Sequence, residues 1–218
     1  MEKPVDEKLL RRERASAPWV LAETLLATAL ALHLSLRLAT PLVWLLLPLG
    51  LIFAGRRSPS AYGLDLRICP PPLRVHATLG LVLLSLYALG YAAIAIFVWH
   101  ETFAPRLPEH AVEDLVRGFL VVALPEEVFF RAYVQSRWDF ACGKPWRLFG
   151  AALGPGLAIQ AVLFAACHLA TGDWTRLRVF FFGLLAGWLR ARSGSVLGPA
   201  AYHAVANLWV GLLGASFR

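Results

Sequence analysis

Two adjacent carboxylates and an arginine stand inside an apolar stretch of this sequence. Glu126 and Glu127 are followed by Arg131 in the segment PEEVFFRAYVQ, residues 125–135. On a helix, Glu127 and Arg131 are four residues apart and share a face, whereas Glu126 points about 100° away. The pattern predicts that Arg131 holds Glu127 ionised and leaves Glu126 without a local counter-ion. An acid isolated in this way in an apolar setting is suited to act as a general base near neutral pH.

Two further apolar segments each contribute a histidine that could join these acids. His168 follows Phe164 by four residues, and Asn207 follows His203 by four, so each pair lies on one helical face. A carboxylate with an imidazole can position and deprotonate a water molecule, and a second imidazole with an amide can donate hydrogen bonds to an oxyanion. If the three helices converge, Glu126 and these polar side chains together suit the attack of water on an amide bond.

Each of these residues also has a purely structural interpretation. A Glu–Arg pair inside a membrane can hold helices together, and a single histidine such as His168 is more often a helix-end or core residue. His203 is as well explained by structure as by chemistry. Asn207 alone is most often a bridge between helices, and Phe164 is a core residue under any function. The chemical interpretation therefore depends on the whole set.

The elements that must carry these residues are predicted from composition and from the lengths of the apolar runs. Of the 218 residues, 58% are hydrophobic and only 16% are charged, and the mean hydropathy is +0.61. A bilayer core requires about 20 apolar residues per helix. Seven segments reach or approach that length, the second and sixth being short: 17–36, 38–54, 77–99, 113–136, 148–170, 179–189 and 195–215. The sequence predicts an all-α fold, a polytopic membrane helix bundle with about seven transmembrane helices.

The basic residues predict how this bundle is oriented. With the N-terminus inside, the inner segments hold 14 of the 21 Lys and Arg residues and the outer segments hold five. This positive-inside bias predicts a cytoplasmic N-terminus and an external C-terminus. It also explains the net charge of +7 without nucleic acid as a partner. Residues 1–15 are too charged for a cleavable signal peptide. Glu23 and His33 in the first span are interpreted as snorkelling or interfacial groups without a role.

Three regions are expected along the chain. Residues 1–16 form a cytoplasmic stub, residues 17–75 form a transmembrane hairpin with a basic loop, and residues 76–218 form the core that carries the chemistry. The three cysteines are scattered and include no CxxC pair, which indicates neither a disulfide framework nor a zinc site.

The three motifs together carry a family resemblance. EExxxR from Glu126, FxxxH from Phe164 and HxxxN from His203 occur in this order on successive apolar segments. This arrangement resembles the CPBP family of intramembrane proteases, which includes the type II CAAX prenyl endopeptidases (CAAX prenyl protease 2-like proteins) and bacteriocin-immunity proteins. The resemblance covers roughly residues 113–212 and leaves the N-terminal hairpin outside. It implies that residues 76–218 form a CPBP-like protease core.

What the resemblance implies is a glutamic-type endopeptidase that cleaves near the C-terminal or membrane-proximal part of a protein substrate. By this resemblance, Glu126 and His168 activate the water. His203 and Asn207 bind the oxyanion. Glu127, Arg131 and Phe164 support these four residues. No cofactor is expected. Zinc is the alternative, because the family was long described as metalloproteases. The sequence disfavours zinc, since it lacks an HExxH pair and an asparagine amide is a poor zinc ligand.

The expected partners are a lipid bilayer and a membrane-associated protein or peptide substrate, in a bacterial plasma (inner) membrane. Family members process prenylated C-termini, bacteriocin leaders or, in the myxosortase branch, C-terminal sorting tails, and the sequence does not separate these. A non-enzymatic immunity or scaffold protein of the same family is the main alternative. A small transporter with Glu126 as its proton site is another. The enzyme is favoured because a scaffold needs no base, histidine and oxyanion pair together.

Overall fold

The computed structural model describes residues 15–64, 71–106, 109–170, 172 and 174–218. Most of the predicted stub, part of the predicted basic loop and Cys69 lie outside the described residues. The division of the chain at residues 16 and 75 therefore stays a prediction.

Seven helices follow one another in the described part of the chain, with short 3₁₀ turns at Pro59–Tyr62 and Trp174–Arg178. They are α1 (Ala17–Leu38), α2 (Val43–Ala54), α3 (Pro71–Phe97), α4 (111–142), α5 (Gly156–Leu169), α6 (Val179–Ser193) and α7 (Leu197–Ser216). The predicted helical class is confirmed.

The membrane spans are less fully supported than the helices. Helix α1 is long and apolar enough to cross a bilayer, whereas α2, α5 and the part Leu84–Phe97 of α3 are apolar but shorter. This result concerns the described residues alone. The seven spans and the cytoplasmic N-terminus therefore stay predictions.

A β-hairpin replaces the start of the fifth predicted span, so the prediction of one continuous helical segment over residues 148–170 was wrong. Strands β1 (Trp146–Leu148) and β2 (Ala151–Leu153) pair antiparallel. Phe149 and Gly150 between them have φ of 46° and 78°, and positive φ at both central residues is typical of the tight turn of a two-residue hairpin. Helix α5 then begins at Gly156. The prediction failed because an uncharged apolar run does not distinguish a strand from a helix.

Helix α4 changes its hydrogen-bonding pattern four times along its length. It is α-helical over Ala111–Arg117, Leu124–Glu127 and Ser136–Cys142. It is π-helical over Gly118–Ala123 and Val128–Gln135. Pro125 lies in the first turn of the short central segment, where a missing N–H is tolerated. The chain therefore remains helical through the proline, and the two wider turns flank the glutamates.

Helix α4 is also the centre of the bundle, since it packs against α1, α2, α5, α6 and α7. On the side of the N-terminal hairpin, Trp44 of α2 packs edge-on against Phe129 of α4, with ring centroids 4.8 Å apart. Tyr62 stacks on Tyr133 with centroids 6.5 Å apart. This aromatic packing fixes one side of α4, and the opposite side faces α5 and α7.

Glu23 of α1 joins the hairpin to α4 through charge. Its Oε1 accepts hydrogen bonds from Tyr133 Oη (2.7 Å) and Arg57 Nη1 (2.8 Å). Its Oε2 accepts from Arg137 Nη2 (2.7 Å) and Nε (3.1 Å). The side chain is only 11% exposed. The interpretation of Glu23 as an interfacial group without a role was therefore wrong, because its partners are distant in sequence.

Candidate active site

The two glutamates of the site lie on the central α-helical segment of α4. Glu127 is completely buried, and its Oε1 lies 3.1 Å from Nη1 of Arg131, one turn further along. The predicted intrahelical ion pair is thus present. The side chain of Glu126 is 15% exposed and makes no such pair within its own helix among the described residues. Adjacent acids on different faces of α4 therefore have different surroundings.

His203 of α7 lies against both acids. Its Nδ1 is 2.9 Å from Oε1 of Glu127, and its Nε2 is 3.8 Å from Oε2 of Glu126. A carboxylate only accepts hydrogen bonds, so the ionised Glu127 fixes a proton on Nδ1 of His203. The contact with Glu127 therefore fixes the direction in which Nε2 of His203 points, toward Glu126.

Aromatic rings enclose the guanidinium of Arg131. The side chain is completely buried, and its Cζ lies 4.4 Å from the ring centroid of Phe164 and 5.8 Å from that of Phe182. An arginine over an aromatic face is stabilised by the cation–π interaction, most strongly when water is excluded. Phe164 also places its ring against His168, with centroids 4.5 Å apart. It therefore contacts both the supporting arginine and a candidate catalytic histidine.

His168 near the end of α5 has one ring nitrogen held by the backbone. Its Nδ1 lies 2.9 Å from the carbonyl oxygen of Phe164. Because a carbonyl oxygen only accepts, Nδ1 donates, and the neutral ring then carries its lone pair on Nε2. His168 can therefore accept a proton through Nε2, as a water-activating residue must.

A cavity of about 510 Å³ connects these side chains to the exterior of the bundle. His168, His203 and Asn207 line it together with Phe164, Phe182 and other largely apolar residues. Neither glutamate belongs to this lining, and His203 contacts both of them from the cavity side. Residues from α5 and α7 thus meet at one cavity, with the acids of α4 behind His203.

Sequence reasoning did not identify Phe182 as part of the site. This residue of α6 packs on His203, with ring centroids 4.8 Å apart, and stacks on Tyr202 at 5.9 Å. The only signal was the triplet FFF at 180–182 in a segment without polar residues. That triplet is equally expected in any lipid-facing helix, so it did not point to a site.

Although His203 lies against both glutamates, no group of three His, Cys, Asp or Glu side chains in the described part of the chain has a geometry that could hold a metal ion. Two of the cysteines are described, Cys142 and Cys167, and both are free thiols.

Comparison with known proteins gives one match. A family model described as "Type II CAAX prenyl endopeptidase Rce1-like" matches residues 108–209, slightly under half of the chain. The seven side chains predicted for the site, and Phe182 as well, lie inside this segment. No curated protein and no solved structure matches the chain.

Proposed function

We propose that the chain is a glutamic-type intramembrane endopeptidase, on the basis of the match of residues 108–209 to a family of type II CAAX prenyl endopeptidases, which are membrane-embedded proteases. Its reaction is the hydrolysis of a peptide bond near the C-terminal or membrane-proximal part of a protein substrate. The proposal makes no use of a metal or other cofactor.

The observation that carries the proposal is the position of His203. Its ring contacts Glu127 through Nδ1 and faces Glu126 through Nε2, at the edge of a cavity shared with His168 and Asn207. A purely structural Glu–Arg pair requires neither a second acid nor a histidine beside an open cavity. The combination of base, donor and substrate-sized space supports an enzyme over a scaffold.

In the proposed reaction, Glu126 and His168 activate a water molecule. Glu126 removes a proton as the water oxygen forms a bond to the carbonyl carbon of the substrate, and Nε2 of His168 orients the water through its lone pair. The carbon–nitrogen bond then breaks, and the proton held by Glu126 passes to the leaving amine. The same carboxyl thus acts as general base and then as general acid.

His203 and Asn207 are proposed to stabilise the oxyanion that forms in this step. They lie one helical turn apart on α7, and both line the cavity. Imidazole and amide N–H groups aimed at a developing oxyanion are worth most where water is excluded. His203 is buried, whereas Asn207 is exposed and would have to be covered by the bound substrate. Glu127 supports this pair because it holds Nδ1 of His203 and thereby directs Nε2. Arg131 and Phe164 in turn hold Glu127.

The largely apolar cavity favours a substrate that is itself associated with the membrane. Besides the polar site residues and Arg178, its lining includes Tyr87, Phe181, Leu185 and Val210. Apolar side chains or a lipid group of the substrate would lose contact with water there. We place the protein in a bacterial inner membrane, where the substrate is a membrane-associated protein or peptide.

The experiment that tests the proposal compares cells that produce the unmodified protein with cells that produce Glu126→Gln. Membrane-associated peptides are identified by mass spectrometry, and we expect at least one substrate to accumulate uncut with Glu126→Gln. Glu113→Gln is the matched control, because Glu113 lies on the same helix with a side chain 81% exposed. Identical peptide profiles for unmodified protein and Glu126→Gln would favour the immunity or scaffold alternative.

The same substrate, once identified, tests the zinc alternative in purified protein. Under the glutamic mechanism, cleavage continues after exhaustive chelation. Cleavage that stops on chelation and returns with added zinc would contradict the proposed mechanism and make the histidines and a glutamate metal ligands.

A further inference from the structure

One end of the bundle gathers three loops that the alternation of spans predicts on the same side of the membrane. The N–H of Val196, just before α7, donates to the carbonyl oxygen of Gly63, in the turn that follows α2, at 3.0 Å. Nη1 of Arg192, at the end of α6, donates to the carbonyl oxygen of Gly150 in the β-hairpin at 2.8 Å. The turn after α2, the β-hairpin and the α6–α7 connection therefore lie together and form one end of the bundle, the β-hairpin end.

The opposite end of the bundle holds the C-terminus. The N–H of Thr102 donates to the carbonyl oxygen of Arg218 (2.6 Å), and the N–H of Ala104 donates to that of Ser216 (2.8 Å). The segment after α3 therefore lies beside the end of α7, and both belong to the predicted external set. The segments predicted inside hold 14 of the 21 Lys and Arg residues, so the positive-inside rule places the β-hairpin end in the cytoplasm.

The cavity at the candidate active site extends toward this opposite end. It is lined by His168 in the last turn of α5 and by Arg178 and Val179 where α6 begins, at the helix ends remote from the β-hairpin. Among the described residues, none from the turn after α2, the β-hairpin or the α6–α7 connection lines it. In that direction Gln160, one turn before Phe164 on α5, is completely buried. The site is therefore open toward the predicted external side and closed toward the predicted cytoplasmic side.

The lengths of the helices account for this opening. Helices α5 and α6 have 14 and 15 residues, which correspond to about 21–22 Å at a rise of about 1.5 Å per residue. Helix α7 has 20 residues, enough for a hydrocarbon core about 30 Å thick. Because all three helices begin or end at the β-hairpin end, α5 and α6 stop short of the opposite membrane surface. Their ends leave a recess through which water and a peptide can reach His168 from that side.

We propose that the substrate enters from the external side of the membrane, and that it is an exported protein cut in the external segment beside its own membrane anchor. The largely apolar lining of the cavity suits a segment that emerges from the bilayer. A tail that is lipidated in the cytoplasm would instead meet the closed β-hairpin end. This inference rests on the proposed endopeptidase function, and it separates substrate classes that the sequence alone leaves open.

The inference is tested by the reactivity of single cysteines toward a charged, membrane-impermeant methanethiosulfonate in spheroplasts, whose plasma membrane is intact. Cys142 is exposed at the end of α4 and reports the β-hairpin end, once Cys69 and Cys167 are replaced by serine. In a cysteine-free background, Ala206→Cys reports the cavity, which Ala206 lines. Ala201→Cys is the matched control, because Ala201 is exposed on the same helix and does not line this cavity. We expect Ala206→Cys to react about tenfold faster than Ala201→Cys in intact spheroplasts, and Cys142 to react only after detergent is added.

Modification of Cys142 in intact spheroplasts, or of Ala206→Cys only after detergent, would overturn the inference. The substrate gives a second readout, since the uncut segment that accumulates with Glu126→Gln should be digested by a protease added to intact spheroplasts. Protection of that segment until detergent is added would equally contradict entry from the external side. The proposed function fails separately: if no uncut substrate accumulates, the endopeptidase is contradicted, whereas the cysteine reactivities still report the side toward which the cavity opens.

Discussion

Glu126 and Glu127 are neighbours in sequence, but their surroundings differ. Glu127 is completely buried and is held by Arg131 on its own helix and by His203 from α7. Glu126 is partly exposed, and its Oε2 has no hydrogen-bond partner among the described residues. The first acid is fixed by the fold, and the second retains a free oxygen for chemistry.

This difference predicts that two isosteric substitutions both abolish cleavage but differ in their effect on stability. Glu127→Gln leaves Arg131 buried without a counter-charge, and breaking a buried pair typically costs about 3–5 kcal/mol. We expect Glu127→Gln to lower the unfolding temperature in detergent and to lose cleavage. Glu126→Gln should abolish cleavage while its unfolding temperature stays close to that of the unmodified protein.

Glu113→Gln serves as the control for both, since it removes the same charge from an exposed position of α4. Equal unfolding temperatures for the two variants, with activity retained in Glu126→Gln, would reverse the assignment of the two acids.

At the scale of elements, the contact between α5 and α6 holds His168 and Phe164 in place. Gly183 of α6 faces Ala161 of α5, and a Cβ added at Gly183 would lie 3.0 Å from both Cα and Cβ of Ala161. Because one of these atoms belongs to the backbone, the contact cannot be relieved by a change of rotamer. The glycine thus permits the close approach of two helices, as small residues do in membrane bundles.

Gly183→Ala is therefore predicted to push α6 away from α5. We expect a loss of about 1–3 kcal/mol in the free energy of unfolding, as for overpacking of a core, together with reduced cleavage because α5 carries His168. Gly90→Ala is the control. Its Cβ has open space, and replacement of a helical glycine by alanine gains up to about 1 kcal/mol. A Gly183→Ala protein as stable as the control would show that α5 and α6 can repack freely.

Some of these elements could be predicted from the sequence and others could not. The seven helices and the Glu127–Arg131 pair were predictable, because apolar length and four-residue spacing depend on local geometry. The hairpin at residues 146–153 was not, because strand and helix give the same signal in an uncharged run. The π-helical turns around Glu126 were also missed, since one extra residue per turn leaves no mark on composition. The contact of His203 with Glu127 depends on tertiary packing. From the sequence, we could state only that the helices carrying these residues could converge.

At the scale of the whole molecule, Glu23 links the N-terminal hairpin to the centre of the bundle. One carboxylate accepts from two guanidinium groups and one phenol, on Arg57, Arg137 and Tyr133. With the aromatic contacts of Trp44, this network sets how α1 and α2 dock on α4. The hairpin is thus tied to the element that carries both glutamates of the site.

We predict that Glu23→Gln weakens this docking. Two arginines lose their shared counter-ion, so the variant should unfold at a lower temperature and α1 should become more susceptible to limited proteolysis. Glu109→Gln, at an exposed position before α4, is the control for loss of one carboxylate. A double-mutant cycle with Arg137→Gln isolates the pair, and additive effects of the two substitutions would indicate that they do not interact.

The network around Glu23 also crosses the start of the segment that matches the family model. Glu23 and Arg57 lie before the family-matching segment 108–209, whereas Tyr133 and Arg137 lie within it. A chimera that joins the hairpin of this protein to the core of a protein that matches the same family model would separate the two halves of this charge network. If the other core lacks residues equivalent to Tyr133 and Arg137, the graft would leave Glu23 without these two hydrogen-bond donors. Positions 23, 57, 133 and 137 would therefore have to be transplanted together, as one unit that spans the boundary.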